Sequence, residues 1–376
     1  MAKKNANGEG TITRRADGRW VGAASLGWQG DKRRRKWIYG KTKQDVAQKL
    51  RQILFRQDNG QLVSTSTQTL EQFLLWWLRD DKRPSVRSST YQGYERKVRL
   101  HIVPELGKIR LDRLTTQRLQ SFLNMKLQSG LAPAMVRSLR VVLVSAMTKA
   151  HELDLIPKNC AAFTVAPHLP KQKVDPFTID ETRRFLKAAE GEALEGLFVV
   201  AATAGLRRGE LLGLTWDNLD LNKGQIQVRQ ALQRVDKKLR LVETKSGRGR
   251  NVKLSERATE ALKRHRSLQV EQRFAAGERW SNELDLVFTG KMGSPLEATI
   301  PNRIMNRILK KAEIRHRKFH ALRHGVGTSL MELGVNPKIV AEMLGHSNVT
   351  ITLNLYSHVS PTMQDDAVSR MDAVLA

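Results

Sequence analysis

The sequence is poor in the residues and patterns that several protein classes require. It has one cysteine, Cys160, in 376 residues. That excludes an intrachain disulfide and a Cys-based zinc site, and suits a reducing cytosol. No apolar run approaches the ~18 residues of a membrane span. The longest, about residues 197–206, is flanked by charge. Residues 1–10 are polar and lack an apolar segment after their lysines, so no secretory leader is expected. No internal repeat or low-complexity segment interrupts the chain. A membrane protein and a disulfide-stapled secreted protein are therefore excluded, and a cytoplasmic location is expected.

Acidic residues are scarce relative to basic ones. There are 65 Lys+Arg against 37 Asp+Glu, a formal net charge of +28, while hydrophobic residues make up 40% and can build real cores. The excess is spread along the chain. Residues 1–66 hold 15 basic and 5 acidic groups, residues 67–170 hold 16 and 8, and the remainder holds 34 and 24. Every third is attracted to a polyanion. Nucleic acid is the default partner, because neutralising phosphates releases counterions.

Length suggests two or three domains, and the patterning gives three. Strand-like segments at 11–14, 19–26 and 34–39 are punctuated by Asp17-Gly18 and Gly30-Asp31. A helix over 43–57 follows, with Thr42 as N-cap and Val46, Leu50, Ile53 and Leu54 on one face. The basic run Lys32-Arg33-Arg34-Arg35-Lys36 interleaves with Trp20, Trp28, Trp37 and Tyr39. A twisted sheet carrying such side chains can enter a DNA major groove, and the aromatics can also form the small core. A polar linker at 63–68 leads to helices at 70–77, 88–98, 115–128 and 133–152. The helix at 88 opens on Ser and Thr capping candidates. A proline-rich second linker spans 157–176. The last part is mixed: helices at 179–189 and 194–204, strands at 225–229, 239–244 and 250–254, then helices at 255–274, 301–312, 320–332 and 337–344.

Four clusters in that last part carry chemistry. They are Gly205-Leu206-Arg207-Arg208-Gly209-Glu210-Leu211, Thr244-Lys245-Ser246, His320-Ala321-Leu322-Arg323-His324, and Leu344-Gly345-His346 with Tyr356 ten residues on. Two arginines can grip the non-bridging oxygens of one phosphodiester. Histidines can move protons near neutral pH. A lysine can protonate a leaving oxygen, and a tyrosine hydroxyl can attack and form a covalent intermediate. No D-x-D or D-D-E cluster accompanies them, as a two-metal nuclease would need. His316, His320 and His324 have the spacing of a helical metal site, but Arg315, Arg317, Lys318 and Arg323 surround them and make a poor cation site. Metal-free phosphoryl transfer fits best.

In this order and spacing, the clusters resemble the tyrosine recombinases, the phage-type integrases and their relatives. The resemblance covers roughly residues 173–365. Its motifs are G-L-R-x-x-E-L at 205–211, T-K at 244–245, H-x-L-R-H at 320–324, L-G-H at 344–346 and Y-S-H at 356–358. Ala204 departs from the Thr often found before Gly-Leu-Arg, at a position that does not react. The resemblance implies a catalytic set of Arg207, Lys245, His320, Arg323, His346 and the nucleophile Tyr356, with no cofactor and no metal. Lys237, Lys238 and Lys253 lie near the same hairpin and compete with Lys245.

The implied fold is mainly α with small β-sheets. Residues 1–62 form an arm-type DNA-binding domain, 67–155 a helical core-binding domain, and 173–376 the catalytic domain with a C-terminal tail. DNA contacts are expected at Trp20, Arg33, Arg34, Arg35, Lys36, Trp37, Arg248 and Arg250. The implied partners are double-stranded DNA at core and arm sites, a homotetramer on that DNA, an excisionase and a host DNA-bending protein. Residues 359–376 have Met363, Val368, Met371, Val374 and Leu375 at roughly helical spacing, which suits docking either on a neighbouring protomer or on the chain itself. The alternatives are a Xer-like resolvase, a type IB topoisomerase, and a non-catalytic repressor derived from an integrase.

Overall fold

The structure, a computed structural model, describes residues 11–29, 32–58, 68–169, 175–235, 238–244, 247, 249–356, 368–369, 371–373 and 375. The expected linker at 63–68 lies outside them except for Gln68. The chain divides into two compact units, Met1–Lys171 and Gln172–Ala376. Among the described residues no helix is long and apolar enough to cross a membrane.

The first unit opens with an antiparallel sheet of strands Thr11–Arg14, Trp20–Gln29 and Lys32–Gly40, backed by the helix Lys43–Asp58. Thr42 caps that helix, its Oγ1 accepting from the Asp45 amide at 3.1 Å. Gly22 and Gly40 let the helix lie close, because a Cβ at either would come within 2.8 Å of Val46. Ala24, Ile38, Val46 and Leu50 form the core beneath the sheet. On strand Lys32–Gly40 the residues alternate: Ile38 is buried, while Arg35, Trp37 and Tyr39 are exposed on the other face.

The helical part of this unit has a larger core built on Leu70, Phe73, Leu74, Trp77, Leu119, Leu139, Val142 and Leu143. Helices Leu70–Trp76 and Ser88–Lys97 each run on into a wide turn, Trp77–Lys82 and Val98–Ile102. Each wide turn meets a proline, Pro84 and Pro104, that has no N–H to return to the carbonyl four residues back. The helix at Ser88 departs from expectation. Its N-cap is Arg87, with no side-chain cap, so Ser88 and Thr90 lie inside the helix. The second linker also starts later than expected. Ile156, Cys160 and Ala161 are buried in the helical core, and Arg140 holds the carbonyls of Ala162 and Thr164.

In the second unit, helix Ile179–Ala188 begins with a capping box between Thr178 and Glu181. Helix Glu195–Ala204 is buried along nearly its whole length and ends at Gly205, whose φ is 63°. Strands Leu219–Asp220, Gln225–Val228 and Arg250–Lys253 form one sheet, and Gln230–Val235 pairs with Lys238–Glu243 in a separate ribbon. Among the described residues, elements that escaped the sequence reading include strands Leu219–Asp220 and Gln230–Val235 and helix Val349–Tyr356. The last has β-branched residues at 349–352 and no strong stop signal, and its exposed apolar residues obscure its period. In the tail, Val368, Met371 and Leu375 are helical and exposed; Met363 and Val374 lie outside the described residues.

A line of aromatic contacts crosses this core toward the site. Phe177 meets Phe185 edge-on at 5.5 Å, Phe185 meets Phe198 at 5.7 Å, and Phe198 meets Phe319 at 6.1 Å. Phe319 directly precedes His320. Arg317, buried, pairs with Asp175 and Glu181 and lies over the Phe177 ring at 4.9 Å, fixing the approach to that helix. Phe198→Ala is expected to cost about 3–5 kcal/mol of stability, measured by denaturant unfolding; a loss below about 1 kcal/mol would show that this aromatic line does not carry the core.

Candidate active site

The site is assembled where three chain turns meet. Gly205 ends one helix in the left-handed conformation and Gly345 ends helix Pro337–Leu344 the same way, with φ 67°. A Cβ on Gly205 would lie 2.5 Å from Leu344, and one on Gly345 would lie 2.8 Å from the Arg250 guanidinium. Both positions need glycine for conformation and for space. The third turn is the start of helix His320–Glu332, whose Arg323 is 3% exposed and donates to the Gly205 carbonyl at 2.9 Å.

At the centre is Glu210, 3% exposed. It accepts the Arg207 amide at 2.9 Å and the Arg207 Nη1 at 2.8 Å. From the other side it accepts Arg250 Nη1 at 3.1 Å and Nη2 at 2.8 Å. Burial pushes its carboxyl upward, but the hydrogen bonds and charge of Arg250, then of Arg207, outweigh that and hold it at about 2. The carboxylate is therefore charged at any working pH. Arg207 also donates Nη2 to the Gly345 carbonyl at 2.5 Å, and Arg250 donates Nε to the Met343 carbonyl at 3.1 Å.

His346 follows Gly345 and shares a hydrogen bond of 2.8 Å between its Nδ1 and Thr352 Oγ1. Thr352 is fully buried and stands four residues, about one helical turn, before Tyr356. The turn carrying His346 is thus tied to the helix that ends in Tyr356. His320 and His324 meet edge-on at 4.6 Å. His320 is lowered to about 4 by partial burial and then by the neighbouring His324, Arg323, Arg207 and Arg208. His346 is lowered to about 4 by burial and then by Arg323, Arg207, His324 and His320. Each of the two histidines feels both arginines, so Arg207, His320, Arg323 and His346 share one field. An anion entering that field would meet two guanidiniums, and two neutral imidazoles able to accept a proton.

The other expected residues are distributed as follows. Lys245 and Arg248 lie outside the described residues; Thr244, which precedes Lys245, is buried. Tyr356 closes its helix, with its side chain outside the description. His316 lies outside any helix, ahead of the His320 helix, so the three histidines do not share one helical face. In the N-terminal sheet, Arg35 and Trp37 are exposed, Lys36 is half-buried, and Arg33 and Arg34 sit in the strand with side chains outside the description. Trp20 packs against the mini-core, with Arg14 and Lys43 over its ring at 6.0 and 5.9 Å.

Arg250, expected on DNA, has a side chain 12% exposed, with its guanidinium bonded to Glu210 and to the Met343 carbonyl. The sequence reading names Glu210 within its motif and Tyr39 among the sheet aromatics without assigning either a role in the site, and it does not single out Thr352. For Glu210 a signal existed, because a glutamate three residues beyond an N-cap is a capping-box spacing. Nothing local marks Thr352.

Both folded-state histidine values lie below the ordinary 6.5, so the unfolded chain binds protons first. Stability from these groups is present above pH 6.5 and is lost as pH falls toward 4. In DNA-free protein, NMR titration of the His320 and His346 rings should give midpoints near 4; midpoints near 6.5 would contradict the described field.

Comparison with known proteins agrees with this geometry. The model described as "Phage integrase family" matches residues 176–363, and "Phage integrase, N-terminal SAM-like domain" matches 69–127. A tyrosine recombinase XerC-like protein of Caldanaerobacter subterraneus is 31% identical over 358 residues, 90% of this chain and 91% of its own. An integrase of Saccharopolyspora erythraea is 26% identical, covering 98% of this chain and 97% of its own. Among solved structures, the Tn1549 transposon integrase in complex with a circular intermediate DNA has a similar fold, with a TM-score of 0.69 at 24% identity over 81% of this chain and 100% of that one. Family models, relatives and fold agree with the convergence of arginines and histidines, and this chain belongs to the phage integrase family of tyrosine recombinases.

Proposed function

We propose that this protein is a site-specific recombinase that integrates a mobile element by cutting and rejoining double-stranded DNA through a 3′-phosphotyrosyl intermediate. The observation that carries the reading is the convergence of Arg207, Arg323, His320 and His346 from separate segments, with His346 tied by Thr352 to the helix ending in Tyr356.

In the proposed step, the Tyr356 oxygen attacks the scissile phosphorus. The bond from phosphorus to O5′ breaks as the tyrosyl–phosphorus bond forms. Arg207 and Arg323 hold the two non-bridging oxygens and stabilise the charge that develops on them. His320, neutral at physiological pH, takes the tyrosine proton. Lys245 gives a proton to the departing O5′, and His346 donates a hydrogen bond to the phosphate. The 5′-hydroxyl of a partner strand reverses the step, so the bond energy is kept.

The rest of the chain serves to hold DNA. The open face of the N-terminal sheet, with Arg35, Trp37 and Tyr39, suits an arm-type site, residues 67–155 suit a core site, and residues 173–376 suit the catalytic domain. A protein with two separate DNA grips bridges two sites, and linkage raises the effective concentration of the second contact. On this reading the protein acts as a homotetramer on DNA in the bacterial cytoplasm, on the nucleoid, with an excisionase and a DNA-bending protein setting direction.

Tyr356→Phe should abolish the covalent protein–DNA adduct on a nicked suicide substrate while leaving DNA binding within about twofold, because one hydroxyl is removed and no charge changes. Adduct that persists in the variant, read on a denaturing gel, would assign the nucleophile elsewhere.

A further inference from the structure

Arg250 stands where three parts of the site meet, yet none of the proposed chemical steps uses it. It lies at the head of strand Arg250–Lys253, five residues after Lys245 in the sequence. Its Nη1 and Nη2 form a two-pronged pair with the Glu210 carboxylate, and Glu210 belongs to the helix that Arg207 caps. Its Nε holds the carbonyl of Met343, in the last turn of the helix that leads to Gly345 and His346. Arg207 makes the matching pair of contacts from the opposite side, to Glu210 and to the Gly345 carbonyl. The two guanidiniums flank one carboxylate, and each also satisfies a carbonyl at the same helix C-terminus, where the helix leaves its carbonyls unpaired and partly negative.

We propose that Arg250 is a positioning residue for the cleavage step: it fixes Glu210 and the end of helix Pro337–Leu344, and through them sets the Arg207 guanidinium and the His346 ring against the scissile phosphate. The geometry supports this over a DNA contact. A fork bonded to a buried carboxylate is held in one plane and position. Gly345 has no Cβ where one would lie 2.8 Å from that fork, so the backbone of the His346 turn rests directly on Arg250. With Arg250 in place, Glu210 is shared between two cations, which leaves Arg207 free to present part of its guanidinium outward. Without Arg250, Arg207 would be the remaining cation on a buried carboxylate and would be drawn inward. Lysine at this position would keep the charge but could not reproduce the fork and the Met343 bond together.

The proposal rests on the phosphodiester chemistry assigned above, and wild-type adduct formation is the reference that tests that assignment separately. The experiment is single-turnover cleavage of a nicked suicide substrate at saturating protein, reading rate constant and amplitude, with DNA affinity measured across salt concentrations. For Arg250→Lys the adduct rate constant should fall roughly 10- to 100-fold, as for a misplacement of about 1 Å, with amplitude, affinity and salt slope retained. Arg250→Gln should fall further, in the same parameter. A lower amplitude with an unchanged rate constant would make Arg250 a residue of fold stability alone. A weaker affinity with a salt slope reduced by about one in Arg250→Gln would make it a phosphate contact. Either result overturns the proposal.

Discussion

One buried carboxylate organises the second unit. Glu210 is almost without solvent, so its charge is tolerable only because Arg207 and Arg250 bond to it from two sides. That requirement has structural consequences. It brings the strand beginning at Arg250 against the short helix Arg208–Leu212. Through the carbonyls of Met343 and Gly345 it brings the end of helix Pro337–Leu344 against both. Gly205 and Gly345 follow from the same crowding, since neither turn could close around a side chain. Such a node is costly if broken, because removing one partner leaves a charge in a poor solvent.

The same node leaves the site short of negative charge. Glu210 is shared between two arginines, while Arg323 adds another guanidinium through the Gly205 carbonyl. The surplus is felt by His320 and His346, which are pushed well below their ordinary range. A phosphodiester is the natural occupant of such a field. Its charge relieves the repulsion among the cations, and as it does so the imidazoles become better proton acceptors. Binding and activation are thus coupled by simple electrostatics. Steric fixing complements this, since the Phe177–Phe185–Phe198–Phe319 contacts make the base of the His320 helix rigid.

Much of this was legible in the sequence, for identifiable reasons. The bounds of helices Pro133–Glu152 and His320–Glu332 match expectation. The residues proposed to react stand out because arginine, histidine and tyrosine recur in a fixed order with glycine breaks. What escaped depends on contacts distant in sequence. Nothing near Arg250 says that a carboxylate forty residues earlier will claim its guanidinium, so a basic residue beside a basic turn read as a DNA contact. Thr352 looks like any β-branched residue until His346 is seen against it. The helix ending in Tyr356 leaves apolar residues Val349, Ile351 and Leu353 exposed, which hides its periodicity. In the N-terminal unit, alternation along Lys32–Gly40 separates core from surface once the register is known, with Trp37 and Tyr39 on the exposed face.

The charge of Glu210, rather than its bulk, holds Arg207 in place. The direct measurement is the single-turnover rate of adduct formation by Glu210→Gln, which keeps the side-chain shape and removes the charge. The rate constant is expected to fall roughly 10²-fold, the cost of a misplaced reacting group. DNA affinity should be undiminished, because the site becomes more positive by one unit. A Glu210→Gln protein that forms adduct at the wild-type rate would contradict it.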